Sequence, residues 1–305
     1  MMEQLTQASQ VADLLAGQDY IASTQIATIC YLAAKMKRPV LVEGPAGVGK
    51  TELAKAVAAA TGAELIHLQC YEGLDETKAI YEWEYAKQLL YTQMLKEKIH
   101  DLVKDTHSLG EAAEAIIAQE NAFFSRHFLL PRPLLKAITL GKPNVLLIDE
   151  IDKADPEFEA YLLEVLGNYQ ITIPELGRMQ AEVVPMVFLT SNASRDLSDA
   201  LKRRCLHLYI DFPTNELEAQ IVERKFPLLD KKLVKKMVDA VQAIRVMDLK
   251  KLPSISETLD WAQSLVSLQA SRLGVEELQT TLGVIAKYEA DGKRILEKAK
   301  DILGE

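Results

Sequence analysis

The stretch Gly44-Pro-Ala-Gly-Val-Gly-Lys50-Thr51 constrains this chain more than any other. It has the spacing GxxxxGK[ST], follows the apolar run 39–43 directly, and opens a helix-forming run over residues 52–60. Glycines in such a loop let the backbone curl until amide N–H groups and the positive end of a helix surround a phosphate. Lys50 then supplies a charge to the outer phosphates, and the hydroxyl of Thr51 can hold magnesium. The residues marked for a bound nucleotide are therefore Gly44, Pro45, Ala46, Gly47, Val48, Gly49, Lys50, Thr51 and Glu52. An ordinary glycine turn is the alternative, and the strand before and helix after argue against it. The glycines at 44, 47 and 49 do not form GxGxxG, which disfavours a dinucleotide fold.

Short apolar runs at 39–43, 64–69, 144–149, 186–190 and 207–211 alternate with helical stretches. That alternation predicts an α/β fold, a P-loop parallel sheet flanked by helices, over residues 1–212. After Asp211-Phe212-Pro213 the β-rich runs stop. Residues 213–305 read as an all-helical lid domain, with helices at 215–225, 230–244, 254–269 and 275–288 broken by Pro227, Pro253 and Gly274. About 75 residues separate the second and third strands, far beyond the usual connection of about 4–6 residues. Residues 88–104 are rich in Leu, Met and Lys, and Ser108-Leu-Gly-Glu111 has the form of a capping box, so a helical insertion is expected at about 81–128. A β-hairpin is expected at about 169–184, with arms at 170–173 and 179–183 around Gly177 and with Pro174 marking an edge.

A chain of 305 residues, 49% hydrophobic and 26% charged, can bury an ordinary core and is not of disordered composition. From Pro213 onward there are 15 basic and 15 acidic residues, so the whole net charge of −9 falls on residues 1–212. That balance argues against a general nucleic-acid partner, which needs a positive surface. Apolar runs such as 145–148 are too short to cross a bilayer, and the first ten residues have no signal-peptide pattern, so no membrane span is expected. Cys30, Cys70 and Cys205 are far apart and form no CxxC, which points to neither a disulfide framework nor a zinc site and fits a reducing cytoplasm.

The third strand candidate ends in Asp149-Glu150. Acids at the carboxyl end of a buried parallel strand lie where such sheets bind ligands. Asp149 suits a magnesium shell and Glu150 suits orienting an attacking water. A solvated acidic turn, continued by Asp152 and Asp155, is the alternative.

With GPAGVGKT at 44–51, VLLIDEID at 145–152, Phe188-Leu-Thr-Ser-Asn192 and Leu197-Ser-Asp-Ala-Leu-Lys-Arg-Arg-Cys205, the chain resembles the AAA+ ATPases, and within them the MoxR family, over nearly its whole length. The insertion and the hairpin resemble that family's helix-2 insert and pre-sensor hairpin, the insert here being longer. The resemblance implies ATP and Mg2+ as cofactors, Asn192 as sensor 1 toward the γ-phosphate, and Arg204 as an arginine finger acting on the neighbouring subunit, with Arg203 the adjacent alternative. A finger in trans implies a homo-oligomeric ring, by resemblance a hexamer. Tyr20 and Ile21 match the region whose backbone reads adenine. Where the family often carries a sensor 2 arginine this chain has Ser256, leaving Lys250, Lys251 or another basic residue as substitutes. Members of the family resemble chaperones for metallocofactor insertion or complex maturation, working with a von Willebrand factor A-domain partner on a protein client. Cys70-Tyr-Glu-Gly-Leu-Asp75 and Tyr81-Glu-Trp-Glu-Tyr85 are similar to the branch linked to carbon monoxide dehydrogenase maturation.

Other features read more plainly. His67, His100, His107, His127 and His207 lack paired metal spacing and are expected to be ordinary residues. Lys231, Lys232, Lys235 and Lys236 form a solvated helix face, with a docking patch as the alternative. Tyr81, Trp83, Tyr85 and Tyr91 are expected to pack on the sheet, or else to touch a substrate. Two other functions would also use such a loop. A small-molecule kinase would need neither Glu150 nor the arginine pair. A nucleotide-gated binding module, related to GTP-using restriction motors, is disfavoured by the acidic balance and by the lack of an NKxD motif.

Overall fold

The computed structural model describes residues 7–94, 108 and 126–305. Helices α1 (Ala8–Ala16) and α2 (Thr24–Met36) lead into strand β1 (Val40–Glu43), helix α3 (Lys50–Thr61) and strand β2 (Glu64–Gln69). There follow α4 (Glu76–Ala79), β3 (Tyr81–Trp83), α5 (Tyr85–Met94), β4 (Leu129–Pro131), α6 (Pro133–Thr139), β5 (Asn144–Asp149) and α7 (Pro156–Asn168). Then come β6 (Gln170–Ile173), β7 (Gly177–Gln180), β8 (Met186–Ser191), α8 (Asp199–Arg204) and β9 (Leu206–Tyr209).

The main sheet has the order β2-β5-β8-β1-β9, and all its strands are parallel. Every residue of β5 and β8 is buried, because both faces are covered; that is why these segments read as unbroken apolar runs. The two-residue period of a strand divides them between two cores. Leu146, Ile148, Val187 and Leu189 pack with α6, α7 and the hairpin β6-β7, whereas Val145, Leu147, Met186 and Phe188 pack with α1, α2 and α3. The parallel sheet flanked by helices is therefore the P-loop fold expected from the alternation.

Several boundaries differ from expectation. The last strand runs from Leu206 to Tyr209, not over 207–211, because its partner β1 ends at Glu43, where the chain turns away at Gly44. The expected helical insertion does not start as a helix: Tyr81–Trp83 is a strand paired antiparallel with Leu129–Pro131. Aromatic residues alternating with an acid favour a pleated strand, and tertiary pairing overrode the helix-forming composition downstream. Helix α5 follows, while residues 95–104 and 109–111, the rest of the helical stretch and of the candidate capping box, lie outside the described residues. Trp83 is buried edge-on to Tyr81, Tyr91 stands edge-on to Phe128, and Tyr85 is exposed. In the hairpin, Gly177 at φ +74 pairs with Ile173, so the turn is residues 174–176 and the second arm starts two residues earlier than expected. Pro174 cannot donate to a ladder and is displaced into that turn.

From Asn215 the chain is helical: α9 (Asn215–Lys225), α10 (Lys231–Arg245), α11 (Ile255–Ser267), α12 (Val275–Ile285), α13 (Glu289–Glu297) and α14 (Ala299–Leu303). The two final helices were not expected, and the stretch 275–288 ends as helix at Ile285. A separate core gathers Met237, Val241, Ile244, Trp261 and Leu265, with the Trp261 indole donating to Thr281 Oγ1 at 2.7 Å. On α10 the face opposite this core holds exposed Lys231, Lys232 and Lys235, while Lys236 pairs with Glu305. Among the described residues no helix is long and apolar enough to cross a membrane.

Candidate nucleotide site

The sheet order explains the assembly of the site. Glu43 at the end of β1 is level with Ser191 on one side and Tyr209 on the other, so the loop after it emerges between Asn192 and Ile210. Gly44 takes φ +151, and a Cβ there would stand 1.9 Å from the Ile210 carbonyl oxygen. Gly47 and Gly49 also have positive φ, at +76 and +96, conformations that L side chains rarely adopt. Among the described residues, none of the amide N–H groups of Gly47, Val48, Gly49, Lys50 and Thr51 donates to a backbone carbonyl. They form a nest of free donors at the positive end of α3, the arrangement an anionic phosphate fills.

The Lys50 ammonium reaches across this loop to the carbonyl oxygens of Gly44 and Pro45, at 2.8 and 2.7 Å, and to Asn192 Oδ1 at 2.8 Å. Burial lowers its pKa, against the opposing pull of Asp152, Asp149 and Glu150. The Thr51 hydroxyl lies 3.0 and 3.1 Å from the two carboxylate oxygens of Asp149. A hydroxyl beside a buried carboxylate offers oxygen donors of the kind a hard divalent cation takes.

Glu150 sits in the left-handed region, at φ +56, its amide N–H donating to Thr190 Oγ1 at 2.9 Å. Its carboxylate accepts from Gln69 Nε2 and Lys153 Nζ, each at 2.7 Å, and lies 3.4 Å from Asn192 Nδ2. Asn192 thus links Lys50 to Glu150, and Thr51 meets Asp149, the residue before Glu150.

Four supporting residues escaped sequence reasoning. Thr190 takes the Glu150 N–H and gives its own hydroxyl to Asp149. Gln69 is in register with Asp149 on the next strand, which places its amide on Glu150. Asp152 is 4% exposed and accepts the N–H groups of Asn192 and Ser194 and the Ser194 hydroxyl, so it clamps both sides of Ala193, itself at φ +55. Burial would raise the Asp152 pKa, but these hydrogen bonds outweigh it and hold the carboxyl below its usual value. His67 was expected to be ordinary, yet its Nε2 stands 3.4 Å from Asp149. The signal available was a polar residue ending or interrupting an apolar strand, which has meaning only once the register is known.

A cleft beside the loop is lined by Tyr20, Ile21, Gly49, Glu52, Ile210, Leu217, Ile255 and Ser256. Tyr20 and Ile21 are among its walls, and burial pushes the Tyr20 phenol pKa far up. Ser256 donates its N–H and hydroxyl to the Gly47 carbonyl, both at 3.3 Å, so helix α11 rests directly on the phosphate loop. The suggested substitutes lie elsewhere: Lys250 stacks on Tyr288 and Lys251 pairs with Glu257. The basic lid residue on this cleft is Lys225. A Cβ at Gly47 would come within 2.1 Å of Ser254 Oγ. Gly47→Ala is therefore expected to cost about 1–3 kcal/mol in backbone strain and to weaken nucleotide binding. Equal melting midpoints and equal fluorescent-nucleotide affinities for the two proteins would contradict this.

Arg203 and Arg204 are not part of this cluster. They end α8 and are exposed; the Arg204 guanidinium lies against Gly167 at the end of α7, with a 3.4 Å bond to the Ala200 carbonyl. The cysteines are buried and free, with thiol pKa values pushed up to about 12 by burial, so they stay protonated.

A parallel sheet with a glycine loop cradling Lys50 and Thr51 beside Asp149 and Glu150 defines a P-loop ATPase of the AAA+ class. A family model described as "AAA domain (dynein-related subfamily)" matches residues 39–205, more than half of the chain, and the chain belongs to that family. It is an AAA+ ATP hydrolase. An uncharacterized protein of Staphylococcus haemolyticus (strain JCSC1435) is 24% identical over 239 residues, covering 76% of this chain and 77% of its own. An uncharacterized protein of Staphylococcus aureus (strain bovine RF122 / ET3-1) is 25% identical over 240 residues, with the same coverage. Among solved structures, a mutant of RuvB from Thermotoga maritima aligns with TM-score 0.50 and 17% identity, covering 92% of this chain and 77% of that one; this likeness concerns the fold alone.

Proposed function

We propose that this chain is a MoxR-type, Mg2+- and ATP-dependent remodelling ATPase of the cytoplasm. In this reading it works as a homo-oligomeric ring, a hexamer by resemblance, on a protein client and with a von Willebrand factor A-domain partner. The observation that carries the reading is the division of the site. Thr51, Asp149, Glu150, Asn192 and Lys50 converge, whereas Arg204 is exposed at the end of α8 with no hydrogen bond to any of them.

A magnesium ion held by Thr51 and Asp149 would neutralise charge on the outer phosphates. The amides from Gly47 to Thr51 grip the phosphates, and Tyr20 and Ile21 flank the base in the cleft. Lys50 exchanges its carbonyl contacts for a phosphate oxygen, and Asn192, released from Lys50, turns its amide to the γ-phosphate. Glu150 orients the attacking water. Arg204 of the neighbouring subunit supplies the remaining positive charge. Ser256 on Gly47 gives the lid a direct contact with the phosphate loop, through which turnover moves α11 relative to the sheet, and the insertion and the β6-β7 hairpin pass that motion to the client.

Purified protein is expected to hydrolyse ATP with no added acceptor, to prefer ATP over GTP, and to show a specific activity that rises with protein concentration as rings assemble. Strict dependence on a small-molecule acceptor would transfer the reading to a kinase. Full activity from a persistent monomer would remove the ring.

A further inference from the structure

The helix that carries the arginine pair is only six residues long, Asp199–Arg204, and so short a helix has little stability of its own. Its last carbonyls need partners from outside. One residue provides them for the final two, Arg203 and Arg204. Arg38, at the corner between α2 and β1, donates from Nη2 to the Arg203 carbonyl at 2.5 Å and to the Cys205 carbonyl at 3.1 Å, and from Nε to the Arg204 carbonyl at 3.1 Å. These contacts span 165 to 167 residues of sequence. The next residue continues the seam, with the Pro39 carbonyl accepting the Leu206 N–H at 2.7 Å.

The corner itself is anchored. Lys37 is held at φ +52, and its carbonyl accepts the Tyr169 hydroxyl at 2.9 Å. Tyr169 ends α7 just beyond Gly167, against which the Arg204 guanidinium lies. The arginine pair is therefore framed by the α2-β1 corner behind its backbone and by the end of α7 under its side chain.

We propose that Arg38 is the positioning residue for the arginine finger: its guanidinium holds three consecutive carbonyls so that the side chain at 204, or at 203, projects at the angle a neighbouring subunit requires. A planar guanidinium with donors in a fixed fork suits this task, whereas the three donors of a lysine diverge from one nitrogen and fix no plane. The inference rests on the reading that the pair acts in trans. It predicts that Arg38 substitutions behave as finger defects although Arg38 lines neither the phosphate loop nor the cleft beside it. Misplacement of a catalytic group by about 1 Å can cost on the order of 10²-fold in rate.

The test is subunit mixing with three variants, Arg38→Ala, Arg204→Ala and Glu150→Gln, each inactive or nearly so by itself. Arg38→Ala is expected to lose on the order of 10²-fold in kcat with fluorescent-ATP affinity unchanged. Mixed with Glu150→Gln it recovers activity, because some interfaces pair an intact Glu150 with a properly held finger. Mixed with Arg204→Ala it does not, because no interface then has a working finger. The inference is overturned if Arg38→Ala keeps full activity, if it recovers with Arg204→Ala, or if it stays silent with Glu150→Gln while Arg204→Ala recovers. Silence of the Arg204→Ala and Glu150→Gln mixture itself instead overturns the trans reading on which the inference stands. Should Arg38→Ala fold poorly, Arg38→Lys serves in the same three mixtures, with its melting midpoint and ring mass checked first.

Discussion

Glu150→Gln is expected to cut ATP turnover by on the order of 10²–10⁴-fold while leaving ATP affinity unchanged, the loss usual for removing a positioned general base. Glutamine keeps the shape and can still meet Gln69, Lys153 and Asn192, so the contacts around residue 150 survive in altered polarity. What disappears is the carboxylate that, in the proposed reading, takes a proton from water. The measurement is steady-state phosphate release beside a fluorescent-nucleotide titration. Turnover retained within tenfold would move the base elsewhere, with Asp149 and Asp152, the other carboxylates acting on Lys50, as the candidates. A collapse of ATP affinity would instead show that Glu150 holds the loop together and does not act on water.

The second large effect lies in the C-terminal helices, proposed as the lid. Arg245 makes a two-pronged pair with Glu218, at 2.6 and 2.7 Å, with side chains only 6% and 0% exposed. Around it the Thr258 hydroxyl and Gln242 amide donate to Glu218, Arg245 Nε donates to the Pro253 carbonyl at 2.7 Å, and the Phe212 ring lies 5.0 Å from the guanidinium. One cluster thus joins the linker at Phe212 and Pro213 to the start of α11, whose Ser256 rests on Gly47. Glu218→Ala leaves a buried guanidinium unpaired and is expected to cost about 3–5 kcal/mol. At roughly 4–8 °C per kcal/mol for a unit of this size, the lid should melt more than ~10 °C lower. The double change Glu218→Leu with Arg245→Met is expected to restore most of the midpoint, since apolar residues can replace a buried ion pair without loss. It should not restore turnover, because the bonds to Pro253 and to the α11 start are gone. A small shift, under ~3 °C for Glu218→Ala alone, would refute the cluster's structural weight.

Much of the fold was legible because its signals are local. The fully buried strands at Asn144–Asp149 and Met186–Ser191 are continuous apolar runs, and Asn215–Lys225 matched its expected helix end to end. The strand at Tyr81–Trp83 was not legible, since three residues carry little periodicity and its partner lies across the insertion. The final helices were missed because the short polar turn after Ile285 hides two amphipathic segments behind one apparent end. In the site, the residues recognised were those in contiguous motifs: the loop at 44–51, the acids at 149–150, and Asn192 after an apolar strand.

By itself the amino-acid order determined the chemistry within each short segment: the glycine loop able to curl, a lysine and a threonine at its end, two acids closing a buried strand. Only the tertiary structure decided which segments meet. Gln69 reaches Glu150, Asp152 holds the backbone beside Asn192, Ser256 rests on Gly47, and Arg38 grips the end of α8 across separations of 40 to 209 residues. The physical reason is that strand order and register set these distances. Both arise from the packing of the whole sheet against its helices, a property that no window of neighbouring residues contains.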